Sequence, residues 1–370
     1  MKTLLTLLLV AHGAIHLLGS AKAFGLADVA SLRTSIGPGA GMLWLAAAVL
    51  LLSAAVVLWV RPRRWWIPAL PGVVLSQALI IGAWGDARFG TVANVILLVP
   101  IALAVADLRP SSLRSRYLRD VRRALGGASW EAPPISTDDL ATLPPQIRSY
   151  LQRVGAVGRP RARNFRARFL ARIRGDAEDP WMEGTAEQYE LFDPPERYFF
   201  MEVRRAGLPV DVYHRFAEGG ASMRARLLGI WPVLDVSGPE MTRSETVTLL
   251  NDVFFLAPAA LLDLPVEWEV LDAKRVRVTY VHAGHQVSAV AHFDDAGDLI
   301  DFESDDRAQL EGNVMKAERW STPIHGYVPA DGRRIPSSAE ARWGAPGEEW
   351  TYADFVVEAI DYNVEDGPRR

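Results

Sequence analysis

Seven histidines and no cysteine set the first limit on the chemistry open to this chain. His12 and His16 lie four apart in an uncharged apolar run, on one helical face together with Gly19. Two imidazoles at that spacing could ligate a metal or supply axial haem ligands if other segments added partners, for which Gln77 and Asn94 are available. The plainer expectation is helix–helix hydrogen bonding within a bundle. His282 and His285 flank Ala283-Gly284; a two-residue turn there makes them cross-strand neighbours, roughly 5 Å apart at Cβ. His292 is an odd seven positions beyond His285 and points to the opposite face, so this hairpin alone cannot build a three-histidine zinc site. His214 continues the apolar parity of Leu208, Val210 and Val212, which suits a hydrogen-bonded core histidine better than a catalyst. Carboxylates are plentiful, among them Glu267, Glu269, Asp301, Glu303, Asp305 and Asp306, but a catalytic pair is defined by a spatial separation that sequence does not supply. A phosphate-cradling glycine loop, a nucleophile elbow, a zincin helix and any cysteine nucleophile are all missing. These residues predict no cofactor and no resident metal.

The basic residues suggest a different chemistry. Arg114, Arg116, Arg119, Arg122 and Arg123 surround Leu113, Tyr117, Leu118, Val121 and Leu125 at near-helical spacing, as in a juxtamembrane helix that grips anionic headgroups. Further on, Arg166, Arg168, Arg172 and Arg174 share one face of an alternating segment. That stripe either pairs across strands with Glu183 and Glu187 or docks on anionic lipid. Ligand or lipid contacts are therefore expected at the neck arginines, Arg166, Arg168 and His214.

The elements that carry these residues divide sharply. Residues 1–126 hold thirteen Lys/Arg against four Asp/Glu, so the first part is +9 and the rest −13 of a chain totalling −4. Uncharged runs cover Thr3–Ala21, Gly41–Val60, Trp65–Trp84 and Thr91–Ala106, with tryptophans near their ends. They predict a four-span α-helical membrane domain over 1–108, the last span being the weakest. Arg61-Pro62-Arg63-Arg64 and the arginines after Leu108 place the N-terminus and the carboxyl-terminal half in the cytoplasm of a multi-pass cell-membrane protein. Lys2 and Ala21-Lys22-Ala23 also have the form of a cleavable signal; the three later spans favour a retained helix, and the tail stays inside in both cases. A basic neck and linker is expected over 109–134, with Gly126 to Pro134 as the linker proper.

From Arg163 the period becomes two. Strands are expected at Arg163–Arg174, Met182–Phe192, Arg197–Arg204, Leu208–Phe216, Ser222–Leu228, Glu267–Leu271, Arg275–His282, His285–Phe293, Leu299–Ser304, Arg333–Trp343 and Tyr352–Tyr362. Turn signals such as Glu218-Gly219-Gly220, Asp295-Ala296-Gly297 and Asp331-Gly332 separate them. A helix is expected over Pro239–Phe255. Residues 135–370 therefore read as a soluble α+β domain dominated by a large antiparallel sheet with a few covering helices. An acidic domain of this kind excludes a nucleic-acid partner.

Several motifs carry a family likeness. They are Asp86-Ala87-Arg88-Phe89-Gly90, Leu143-Pro144 before Tyr150-Leu151, Asp193-Pro194-Pro195-Glu196-Arg197, Trp320-Ser321-Thr322-Pro323 before Gly326-Tyr327, Arg334-Ile335-Pro336, and Trp343. Over nearly the whole chain they resemble an uncharacterised bacterial family that joins membrane helices to a β-rich domain of unknown function. More loosely, the strand pattern is similar to the half-barrel of the lipoprotein carriers, and that resemblance implies an apolar cavity that holds acyl chains. The expected function is binding of an apolar or lipid-like ligand near the bilayer, with membrane lipids as partners. The alternatives are a structural or assembly role beside a membrane-protein partner, and a His-dependent, possibly metal-dependent enzyme using His214 or His282 and His285.

Overall fold

The computed structural model describes residues 2–126, 133–312 and 314–368. The chain divides into two compact units, Met1–Pro110 and Ser111–Arg370. Most of the expected linker Gly126 to Pro134 lies outside the described residues.

The first unit is helical: α1 (Lys2–Ala23), α2 (Pro38–Val60), α3 (Trp66–Gly82), the short α4 (Trp84–Ala87) and α5 (Gly90–Asp107). Pro38 starts α2, where its missing N–H removes no helical bond, and Arg61 leaves helical geometry because Pro62 follows it. Three of these helices, α1, α2 and α5, are long and apolar enough to cross a membrane, whereas α3 has 17 residues. The expected order of strength is thus reversed. The third segment stops at Ala83 (φ −117°, ψ 36°), while the fourth runs through Pro100 to Asp107. Leu9, Leu51, Ala54, Ala69, Val73 and Leu97 form the interior, and Leu4, Leu7, Val56, Ile67, Ile81 and Val99 face outward.

The second unit begins with α6 (Leu113–Leu125), capped by Ser112, whose Oγ accepts from Ser115 N. A short α7 (Pro145–Arg153) precedes β1 (Asn164–Ile173), β2 (Met182–Phe192), β3 (Pro195–Arg205), β4 (Leu208–Ala217), β5 (Gly220–Leu227) and β6 (Trp231–Ser237). Next come α8 (Pro239–Leu256), β7 (Val266–Val270), β8 (Arg275–His282), β9 (His285–Phe293) and β10 (Leu299–Ser304). The chain finishes with β11 (Ala308–Glu311), β12 (Val314–Ala317), β13 (Trp320–Ser321), β14 (Tyr327–Ala330), β15 (Arg333–Pro336), β16 (Ser338–Trp343) and β17 (Trp350–Tyr362). Thirteen strands form one antiparallel sheet in the order β6-β5-β4-β3-β2-β1-β17-β16-β13-β10-β9-β8-β7. Two separate hairpins, β11–β12 and β14–β15, stand beside it.

Turn chemistry sets much of this register. Glu218-Gly219, Ala283-Gly284 and Asp331-Gly332 each carry positive φ at both central residues, the geometry whose twist suits a tight hairpin. Ala206-Gly207 has the same geometry without having been singled out by composition. The expected strand Arg333–Trp343 is broken after Pro336, whose missing N–H cannot continue a ladder, into β15 and β16. β6, at the sheet edge, was not expected; it is exposed along most of its length and lacks the buried alternation that marks an inner strand.

The sheet curves around α8, of which fourteen of eighteen residues are buried. This helix packs against β5 and β6 on one side of the sheet order and β9 on the other. Its buried hydroxyls are satisfied locally: Thr246 and Thr248 donate to the carbonyls of Thr242 and Ser244, and Ser244 Oγ accepts from Ala308 N. On the opposite face of the sheet, α6 lays Leu113, Tyr117, Leu118, Val121 and Leu125 against Tyr189, Leu191, Tyr198, Phe200 and Tyr213. β2, β3 and β4 are therefore covered on both sides.

Candidate functional site

Three adjacent strands send polar side chains inward on a parity that is otherwise apolar. From β2 come Gln188 and Glu190 beside Ala186; from β3, Arg197 beside Phe199 and Met201; from β4, His214 beside Val212 and Phe216. The ladder sets Glu190 opposite Arg197, and Phe199 opposite both Gln188 and His214. Helix α8 adds Glu245 and Asp252 from the facing side.

These groups form one network. Arg197 donates from Nη1 to Glu245 Oε2 at 3.0 Å, from Nε to Asp252 Oδ2 at 2.7 Å and from Nη2 to Gln188 Oε1 at 3.2 Å. Gln188 Nε2 donates to Glu190 Oε2 at 2.7 Å and to Asp252 Oδ2 at 2.9 Å. His214 Nδ1 lies 3.2 Å from Glu245 Oε1. A carboxylate can only accept, so Nδ1 carries the proton of this hydrogen bond. Burial alone would push the Glu245 carboxyl up, but the Arg197 guanidinium, then His214, outweigh it and hold Glu245 down at about 2. Glu190 moves the other way: burial, reinforced by Asp252, drives it well above the usual carboxylate range despite Arg197. One fold thus shifts two neighbouring carboxyls in opposite directions.

The network forms one wall of a cleft between the curved sheet and α8, with about 140 Å³ inside for the centres of water-sized atoms. That is well above the roughly 10–15 Å³ needed to admit a single water. Phe169, Phe199, Met201, Phe355 and Val357 make the apolar wall, and Trp320, Thr322, Tyr352 and Arg307 close another side. An apolar slot with a few fixed polar groups is what a ligand site requires. The His214–Glu245 pair is also the arrangement of an oriented general base.

The residues singled out from sequence fall in five places. His214 is in the cleft. Arg166 Nε donates to Glu187 Oε1 at 2.8 Å, and Arg172 lies 3.7 Å from Glu183 and from Asp354, so the stripe pairs across strands; Arg168 is exposed. On α6, Arg114 meets Glu202 at 3.2 Å, Arg122 donates to the Pro368 carbonyl, and Arg123 lies near Asp120 and Glu218. Arg116 is half-buried and Arg119 exposed. The apolar face of this helix is occupied by the sheet. His282 and His285 are cross-strand partners, and His282 packs against Tyr280 and Phe216. His292 turns away to Glu303 at 3.2 Å.

In the first unit, His12 Nε2 lies 2.9 Å from Asn94 Oδ1 and 3.0 Å from Ser76 Oγ, and His16 Nε2 lies 2.8 Å from the same Ser76 Oγ. Asn94 Nδ2 donates on to Gln77 Oε1. This is a polar knot between helices, with Ser76 as the centre that sequence reading had not named. Among the described residues no three His, Cys, Asp or Glu side chains converge as a metal site would need.

Sequence reading missed Arg197, Glu245, Asp252 and Arg307. The signal for Arg197 was present, since an arginine on the parity of Phe199, Met201 and Val203 must be buried and paired. The other three depend on where α8 and the β11 hairpin settle. Several family-like motifs do meet at the cleft, through Arg197, Trp320, Thr322 and Pro336.

Two solved structures are similar in part. A DUF1329 family protein from Desulfovibrio piger ATCC 29098 shares 11% identity over 59% of this chain and 92% of its own, with a TM-score of 0.34. A putative outer membrane lipoprotein-sorting protein domain from Vibrio parahaemolyticus shares 10% identity over 54% of this chain and 86% of its own, with a TM-score of 0.32. No curated protein matches the chain. A family profile matches residues 133–355, which includes α8, the sheet up to the middle of β17, and nearly the whole cleft. The chain belongs to the family of unknown function DUF6544.

Proposed function

We propose that the β-rich unit binds an apolar or lipid-like ligand in the cleft between its sheet and α8, and that the N-terminal helices anchor it in a cell membrane. The observation that carries this reading is the cleft itself. A domain of this size would ordinarily close its interior to near-crystalline density, yet Phe169, Phe199, Met201, Phe355 and Val357 line open space. Positive-inside counting at Arg61–Arg64 and after Leu108 supports a cytoplasmic β-rich unit. Arg116 and Arg119 on α6, with Arg109 just before it, are the basic groups that this reading assigns to lipid headgroups.

Native mass spectrometry of the full chain, extracted in polymer discs, tests the reading. Co-purified lipid that is lost when Met201→Trp fills the cleft is the expected result; identical lipid retention in both proteins counts against it. A reporter fused behind Arg370 tests the orientation and should be active only on the cytoplasmic side.

The 3.2 Å contact of His214 with Glu245 favours one second reading, general-base hydrolysis of an acyl ester held in the same cleft. His214→Asn keeps the shape of the side chain and removes the base. Equal turnover of nitrophenyl acyl esters by the two proteins excludes this reading.

A further inference from the structure

Arg307 is a second arginine on the cleft wall. Arg197 is held between Glu245 and Asp252. Arg307 has no carboxylate partner among the described residues. Its Nη1 donates to the Tyr352 hydroxyl at 3.1 Å, and its guanidinium lies 4.2 Å from the centre of the Trp320 ring and 5.3 Å from that of Trp343. Its Nε is buried with no acceptor. Glu245, the carboxylate whose charge it feels, already has one oxygen on Arg197 and the other on His214.

The position is also built. Ala308 N donates to Ser244 Oγ on α8, and Glu318 N to the Arg307 carbonyl, so the backbone on which Arg307 sits is fixed from two sides. A guanidinium over aromatic rings keeps its in-plane N–H donors for other partners, and a carboxylate or phosphate offers oxygens that match them.

We propose that the occupant of the cleft is a single-chain amphiphile with an anionic head, carboxylate or phosphate monoester, seated on Arg307 with its chain along Phe169, Phe199 and Phe355. The proposal rests on the cleft being a site for apolar ligands and adds the head-group chemistry. Neutral amphiphiles of equal length bind more weakly, because they leave the Arg307 donors unmet.

The test uses the full chain in polymer discs with diazirine-bearing dodecanoate, dodecyl phosphate and dodecanol probes, mapping labelled peptides by mass spectrometry. The anionic probes should label cleft strands at concentrations on the order of tenfold below the alcohol. Arg307→Gln should bring them to the alcohol's level, and Arg307→Lys should restore most of the preference. The ratio of dodecanoate to dodecyl phosphate labelling then separates a fatty-acid source from a phosphorylated one. Equal labelling by all three probes in the native protein overturns the head-group proposal while leaving the cleft reading intact. No cleft labelling by any probe overturns the cleft reading itself. Thermal unfolding of each variant shows whether a loss of labelling reflects a loss of fold.

Discussion

Replacing Arg197 by methionine removes the charge that holds the buried Glu245 and the half-buried Asp252 while keeping an unbranched apolar stem against Phe199. Arg197 and Glu245 side chains are 7% and 1% exposed, so solvent cannot take over the lost interaction. Glu245 is held at about 2 instead of 4.5, which corresponds to roughly 3 kcal/mol at 1.36 kcal/mol per pH unit. Breaking a buried pair from one side costs about 3–5 kcal/mol, in agreement. The pH dependence gives the sharper test. A carboxyl depressed on folding contributes stability that is present above 4.5 and lost as pH falls toward 2. Without Arg197, burial pushes Glu245 above 4.5 and the sign inverts, so the variant regains stability as pH falls from neutral. The readout is hydrogen exchange of the α8 amides together with thermal unfolding, since the two units need not melt as one. At about pH 7.5 the melting temperature of the second unit should fall by about 6–12 °C, and the gap should narrow by about pH 5. A variant within about 2 °C of the native protein, or a gap that does not change with pH, refutes the account of the network.

Three further outcomes are expected. Asp301 is pushed up to about 6, first by burial and then by Glu303, against the amides of Phe302 and Thr322. It therefore favours the fold below 3.8, and that contribution is lost as pH rises through 6. Asp301→Asn keeps the oxygen acceptor and should stabilise the protein by up to about 3 kcal/mol near neutral pH and by little near pH 3, measured by denaturant unfolding at both pH values. Tyr117 is 1% exposed, stacks on Phe200 and donates to Glu187 Oε2 at 3.0 Å. Tyr117→Ala should cost about 3–5 kcal/mol and release α6 to proteolysis before the sheet unfolds, whereas equal protection of α6 in both proteins contradicts its role as a packed layer. A Cβ at Gly184 would lie 1.8 Å from the Glu202 carbonyl oxygen, a backbone atom that cannot swing aside. Gly184→Ala should therefore destabilise the β2–β3 pair by roughly 1–3 kcal/mol or more, seen as faster amide exchange confined to those strands.

The chain's division of labour could be read without coordinates because it rests on local patterns. Uncharged runs of helical length, period-two alternation and glycine-bearing turns act over a few residues, and the hairpin at Ala283-Gly284 forms where they place it. His292 faces away from His282 and His285 for the same reason. His214 stood out as a polar residue on an apolar face. What joins it to Glu245, to Arg197 and to the open space beside them is long-range: β2, β3 and β4 are neighbours in the ladder, but α8 reaches them only because the sheet curves around it. The same holds for α6, whose apolar stripe has the pattern of a helix lying on lipid and instead packs on the sheet's tyrosines. An amphipathic pattern states that a face will be covered and is silent about what covers it, since burial rewards removal of apolar area from water whatever surface supplies the cover. Buried charges follow the same logic. Arg197, Glu245 and Asp252 are tolerable only as a set, and the set exists only once two separate segments of chain, β3 and α8, have met.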